Sequence, residues 1–463
     1  MEQVEFELTY GTDKRTFSIP RERLNGPLLA PRQPPVLPGT VREILDRALA
    51  EPVERPPLRQ MVKGRQVGVV ISDEFRAGLQ RQILEALVAE VAAGDPHSIT
   101  VLCATGTHDP GVYAKNAAGW VEQLARQHDR PIEFVANDST GGEHAGIGAT
   151  RRGTPLRISR HLLDCDVRVF GHEAKHHYFY GYSCLDKQLL PGLSADETVR
   201  ANHKLALEPG SGPGRSPYHA DPGRRDNPVS EDGREARRLS ELFVLSPSGK
   251  AVRGDVQTFA LDMVSQGQQV YWARAGDPEL LSREMVGVVD ELMAYRVPRS
   301  RYVVLSPGGP PASQALYGTQ NSFDLALRNA IEPGGEALVV APLDGRPDLD
   351  PDTRGLAPSA RAKRLFWDNL VRLVQLPLEQ ARRQIADNFE MYLWKTDRVL
   401  RLLRGDNLAI YLYCQLDEQR LAPGGFRKAP DIQAWIDERV ARRDGLFTVI
   451  DQGNKLCVTP AAG

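Results

Sequence analysis

Two adjacent stretches constrain the fold most. VGVVIS (67–72) is a short unbroken apolar run, followed by LQRQILEALVAEVAA, in which Leu79, Ile83, Leu87 and Val91 recur at helical spacing. A run that short and that apolar suits a parallel strand buried on both faces, and the four-residue spacing suits a helix lying on it. The pattern then repeats. SITVLCATGTH reads as a strand, 111–128 as a helix, IEFVAND as a third strand and CDVRVFGH as a fourth. Strand and helix alternating at intervals of roughly 30 residues predict a doubly wound, mostly parallel α/β sheet.

A second α/β series begins near residue 276, with RYVVLSPGG, GEALVVAP, LAIYLYC, a helix near DIQAWIDERVARR and a closing FTVIDQGNKLCVTP. A chain of 463 residues exceeds one ordinary core. The expectation is two α/β domains with an active-site crevice between them: 1–275 as the N-terminal domain, 276–445 as the C-terminal domain, and 446–463 as final strands whose return to the N-terminal domain is left open. MEQVEFELTYGTDKRTFSIP at the start reads as strand, turn, strand. Residues 207–236, dense in Gly, Pro and charge, read as a long surface loop, either a flexible insertion or a lid.

Charge and composition exclude several classes. A net charge of −2 gives no electrostatic footprint for nucleic acid or an anionic membrane. Apolar runs stop at about eight residues, far short of the roughly 20 a spanning helix needs. The N-terminus lacks the basic and apolar regions of a secretory signal. Cys103, Cys165, Cys184, Cys414 and Cys457 are odd in number and show no CxxC spacing, which suits reduced thiols in a cytoplasm.

Open α/β sheets bind ligands beyond the carboxyl ends of their strands. ISDEFRAG offers Asp73 and Arg76 there, ATGTHDP offers Thr107 and His108, AND offers Asn137 and Asp138, and GHEAKHH offers His172, His176 and His177. In GHEAKHHYFYGYSCLDKQLLPGLSADETVRANH, four of the ten histidines surround Lys187. Ser194 and Glu197 have the spacing of a capping box, so a helix is expected to begin near Ala195. Val199, His203 and Leu207 then share one stripe, which turns His203 inward. Imidazoles gathered in one place suit metal binding or proton transfer, and a nearby lysine adds a covalent attachment point. On the residues alone the site is a metal or acid–base site of open identity.

The same residues resemble the nickel-dependent lactate racemase family. His177, Lys187 and His203 recur at intervals of ten and sixteen, within HYFYGYSCLDKQLLPG and ANH. Asp73 with Arg76, the Gly106-Thr107-His108 triplet, SPGG at 306–309, Leu316-Tyr317 and YLWKTDRVLRLL around Trp394 add to the match. The resemblance implies a racemase or epimerase of 2-hydroxy acids using a nickel-pincer nucleotide (a pyridinium-3-thioamide-5-thiocarboxylic acid mononucleotide with nickel) covalently bound through Lys187. It implies His203 as nickel ligand and His108 and His177 as paired acid–base residues. Asp73, Thr107, Tyr182 and Ser183 would contact the cofactor, and Arg76, Tyr317, Asn321 and Trp394 the substrate. The implied partners are a small hydroxy acid and cofactor-maturation enzymes, with a homo-oligomer compatible and neither nucleic acid nor membrane involved. Two departures stand out. The family's Gly-Gly-Arg before the lysine is Cys184-Leu185-Asp186 here, and a glutamine and a lysine expected at the substrate are Gly318 and Asn321. Loss of that cation and gain of volume would favour a longer, hydroxylated acid such as a sugar acid over lactate. A metal-dependent hydrolase built on the same histidines, or a carrier of the nucleotide, are the competing readings.

Overall fold

The computed structural model describes residues 2–74, 78–344 and 358–461. Two parallel-rich sheets carry it. In the first, the strands lie in the order Gln269–Gly276, Gln257–Gln266, Val167–Glu173, Gln66–Ser72, Ser98–Ala104 and Glu133–Ala136. All pair in parallel except the edge strand Gln269–Gly276. The chain steps outward from Gln66–Ser72 and then returns to lay Val167–Glu173 on its other side. This reversal opens a crevice between the ends of those two strands, the place where such sheets take ligands.

Both central strands are buried along their length, as their apolar runs require. The Gln80–Ala93 helix sets Ile83, Leu87 and Val91 against Val69, Ile71 and Val169 on one face. Leu156, Leu162, Leu185 and Leu189 cover the other. The α/β class inferred from these periodicities is the one observed.

The second sheet is ordered Arg427–Lys428, Ala409–Tyr413, Ile331–Val340, Ser300–Leu305 and Phe447–Ile450, all parallel. Both chain ends serve it. Phe447–Ile450 pairs with Ser300–Leu305, and Cys457–Pro460 pairs with Ala294–Val297, so neither strand joins the first sheet. The N-terminal hairpin, Gln3–Tyr10 with Asp13–Pro20, also packs here: Phe6, Leu8, Phe17 and Ile19 lie against Tyr302, Val304, Leu338 and Val449. Its alternating apolar residues fit a hairpin with one buried face, but the face it covers belongs to a partner almost 300 residues away, which local pattern does not encode.

Two local expectations fail for definable reasons. The stretch at 207–236 is not one long surface loop. Asn227 accepts from the Val229 and Ser230 amides and caps a helix over Pro228–Ser240, while Tyr218 and Asn227 are buried. The helix bearing His203 spans Asp196–Lys204, and Ser194 does not cap it; its hydroxyl donates to the Leu189 carbonyl at 2.8 Å, and Glu197 pairs with Arg157 instead.

Candidate active site

The hub of the site is an aromatic ring that sequence reasoning passed over. Phe179 has its centroid 4.7 Å from the His177 ring, 5.2 Å from His203 and 5.5 Å from Trp394. Lys187 Nζ stands 5.8 Å from the same centroid and 3.1 Å from His177 Nε2. Three elements converge to make this. His177 ends a short strand, Lys175–His177, that pairs with Gly181–Ser183; Lys187 lies on the Leu185–Leu189 helix; His203 turns inward from Asp196–Lys204 with Val199. Lys187 and His203 are both buried, at 7% and 6% exposure.

Glycines make the lysine loop possible. A Cβ on Gly192 would sit 2.2 Å from the Gln188 carbonyl, and one on Gly181, at φ +90°, only 1.8 Å from that of Arg215. The Gly192 amide donates to the Lys187 carbonyl, and its own carbonyl accepts from Gly106, each at 3.0 Å. That backbone chain fastens the lysine turn to the Gly106-Thr107-His108 turn.

His108 lies beyond the Ser98–Ala104 strand, with Nδ1 2.5 Å from Asp73 Oδ2. Asp73 is buried and His108 partly open. A carboxylate at Nδ1 keeps the proton there and leaves Nε2 as the acceptor. His177 Nδ1 accepts the Tyr180 amide at 3.2 Å, and its Nε2 lies 3.1 Å from Lys187 Nζ.

Residues of the second sheet's half close the site. Trp394 Nε1 donates to Tyr178 OH at 2.9 Å, and Tyr178 stacks on His177 at 4.8 Å. Thr107 Oγ1 lies 3.4 Å from Tyr392 OH, whose ring reaches Trp394 at 5.3 Å and Tyr317 at 5.9 Å. Tyr392 takes a left-handed backbone (φ +77°) at the start of Leu393–Leu400, a strain that surrounding contacts must hold in place.

Other expected residues are placed elsewhere. Tyr182 faces away from Lys187: it donates to Asp290 Oδ1 at 2.6 Å, in a buried cluster with His176, His219 and Arg224. Burial raises the Asp290 pKa, but hydrogen bonds from His176 and His219 outweigh it and hold the carboxyl well below the usual range. Burial lowers the pKa of His176, against the pull of Asp290. Ser183 lies 3.1 Å from His172 Nε2, and His172 Nδ1 lies 3.1 Å from Asp262 Oδ1, so both support the hairpin from behind. Asn137 and Asp138 brace turns. Arg76 lies outside the described residues. A cleft of ≈ 520 Å³ beside the His203 helix, lined by Ala201, Lys204, Leu207, Arg382 and Asp397, includes none of the expected site residues.

Residues 10–214 match the lactate racemase N-terminal domain. Over that stretch the chain is similar to lactate racemases. It is 24% identical over 339 residues to a lactate racemase of Thermoanaerobacterium thermosaccharolyticum, spanning 72% of this chain and 74% of that protein. A lactate racemase of Lactiplantibacillus plantarum is 22% identical over 347 residues, 74% of this chain and 76% of that protein. The structure of the lactate racemase apoprotein from T. thermosaccharolyticum superposes with a TM-score of 0.78 at 21% identity, covering 98% of this chain and all of that one. A Thermotoga maritima protein reaches 0.56 at 16% identity, covering 91% and 97%. The structural likeness establishes the shared α/β fold.

The two departures read from the sequence are accommodated differently. Asp186, buried before the lysine, receives Arg237 Nε at 2.6 Å and Tyr218 OH at 2.8 Å, so a buried arginine still stands beside the turn but comes from Pro228–Ser240. A lysine from another helix reaches Asn321. Lys395 Nζ lies 2.6 Å from Asn321 Oδ1. Its only sequence signal was adjacency to Trp394.

Proposed function

We propose that this protein is an isomerase that inverts C2 of a 2-hydroxy acid, a racemase or epimerase working in the cytoplasm. One observation carries the reading: His177, Lys187, His203 and Trp394 all gather around the ring of Phe179. A buried amine and a buried imidazole on a common aromatic wall fit a flat ring system tethered at one side and ligated at another. Lys187 would hold a nickel-pincer nucleotide through a thioamide, and His203 would ligate its metal. When bound, that group supplies a hydride acceptor.

The protein's own residues supply the rest. Inverting a hydroxyl-bearing carbon through a planar keto acid requires a base for the hydroxyl proton and an acid that returns it on the opposite face. His108, with Nδ1 fixed by Asp73, would exchange the hydroxyl proton at Nε2; His177, held by the Tyr180 amide at Nδ1 and beside Lys187 at Nε2, would be its counterpart on the other face. The roles exchange for the reverse direction. Trp394, Tyr178 and Tyr392 wall off water, which suits chemistry that must not leak to solvent. Arg76 would take the substrate carboxylate, for which the guanidinium fork is suited. A zinc hydrolase would need three protein ligands, and no such group of His, Cys, Asp or Glu occurs among the described residues.

The test is intact-mass and nickel analysis of protein co-expressed with cofactor-making enzymes, followed by chiral analysis of a 2-hydroxy acid panel in heavy water. The expected results are an adduct on Lys187, nickel, and inversion with the C2 hydrogen retained. An unmodified Lys187 without nickel, or deuterium entering C2, refutes the reading. Adduct and nickel without inversion of any acid would make the protein a carrier.

A further inference from the structure

The ≈ 520 Å³ cleft beside the His203 helix lies on a seam between the two halves of the chain. Lys204 enters it from the end of Asp196–Lys204, and Arg152 from the turn between the strands His144–Ala149 and Pro155–Ser159. Arg382 on the Leu378–Asp387 helix and Asp397 on Leu393–Leu400 enter it from the other half. The cleft is separate from the Phe179 site. Residues two apart on a helix are turned by about 200°, so Ala201, which lines the cleft, opens away from the inward-facing His203.

Charge in this cleft is unbalanced. Arg152 is held by Glu231 at 2.7 Å and Glu208 at 3.4 Å. Lys204 is exposed and has no ion-pair partner among the described residues. Arg382 donates Nε to Asp397 Oδ1 at 3.1 Å, while its Nη1 lies 3.7 Å from the exposed Glu379, where water screens the pair. Asp397 is also shared with Arg401, at 2.5 Å. Burial lowers the Arg401 pKa; Asp397 opposes that, and Arg398 and Arg382 lower it further, the sign of cations crowded together. An anion in the cleft would relieve that crowding. Leu205, Leu207 and Pro209 give it an apolar side, and its volume suits a small organic molecule. Two guanidinium forks and an ammonium are a donor set for a phosphate, whose several oxygens accept paired bonds, whereas a carboxylate is satisfied by one fork. We propose that this cleft binds a small phosphate monoester with an apolar body. The ligand joins Arg152 and Lys204 of one half to Arg382 of the other, and so ties the His203 helix to the helices leading to Trp394. The assignment does not depend on the reaction proposed above.

The test is calorimetric titration of the full chain, with and without the Lys187 adduct, using phenyl phosphate, inorganic phosphate and phenylacetate. Phenyl phosphate is expected to bind at a single site and more tightly than either other probe. Lys204→Gln and Arg382→Gln should each weaken it about tenfold, the scale of a lost hydrogen bond to a charged group, and Lys204→Arg should keep most of the affinity. Arg42→Gln, which removes a positive charge from the Val41–Ala50 helix outside the cleft, should leave it unchanged. Because Lys204 is exposed, its variants should melt like wild type without ligand, so their loss reads as binding. Phenylacetate binding as tightly as phenyl phosphate, an unchanged affinity in Lys204→Gln, or an equal loss in Arg42→Gln overturns the assignment. Binding that vanishes once Lys187 carries the adduct also overturns it, because the cleft would then serve the phosphate of the tethered nucleotide.

Discussion

The Asp73–His108 contact yields the sharpest prediction. Asn at 73 keeps the size of the side chain but removes the charge, and its amide can present a donor where His108 Nδ1 now finds an acceptor. A hydrogen bond to a charged group contributes about 1.5–3 kcal/mol. At about 1.36 kcal/mol per tenfold in rate, the full loss would lower kcat roughly ten- to hundredfold. Asp73 is buried but His108 is 27% exposed, so solvent screens part of the effect and the lower end is expected. The assay is chiral turnover of the preferred acid by holoprotein, with nickel content and Lys187 adduct measured on the same sample. Because Asp73 acts through His108, kcat should fall while KM moves less than threefold. A kcat within twofold of wild type, at equal cofactor loading, would show that the carboxylate does not set the proton on His108.

Two further outcomes concern stability. Asp186→Ala leaves Arg237 buried beside Tyr218 without its most buried carboxylate, and breaking a buried pair costs about 3–5 kcal/mol, so the thermal midpoint should drop by several degrees; an unchanged midpoint would mean that Glu241 and Glu279 alone satisfy Arg237. The His176–Asp290 contact predicts acid sensitivity: with the folded His176 pKa lowered, the unfolded chain binds the extra proton as pH falls below about 6.5, and the depressed Asp290 adds further loss below about pH 4. Melting scans from pH 7 to 5 should therefore show a falling midpoint in wild type and a flatter profile in His176→Gln; equal slopes would contradict this.

Much of the first sheet was legible because its strands and helices are neighbours in sequence: the apolar run at 67–72 and the helical stripe that follows it meet directly. The gathering of His177, Lys187 and His203 about Phe179 was legible for the same reason, since the three lie close together in the chain after a strand of that sheet. What remained hidden depends on long-range packing. Nothing near Phe6 or Phe17 announces that they cover the sheet containing Tyr302 and Val449. Ser194 has the spacing of a helix cap, yet a nearer carbonyl at Leu189 claims its hydroxyl. Tyr182 sits beside the site in sequence, but strand alternation turns it toward Asp290. Lys395 was obscured because Asn321, whose oxygen it bonds, lies 74 positions earlier.

The seating of the amino-terminal hairpin has a consequence for how the polypeptide is made. Thr9 bonds Asp451 through both its amide and its hydroxyl, and the apolar face around Phe6 and Ile19 meets strands that include the last of the second sheet. During synthesis these first residues leave the ribosome long before the strands that will shelter them. The emerging first sheet is free to assemble meanwhile, but the hairpin must wait, greasy side uncovered, until the Phe447–Ile450 strand has been made. Completion of the second half therefore depends on contacts of very long sequence separation, which form slowly, and the uncovered hairpin face is exposed to aggregation in the interval.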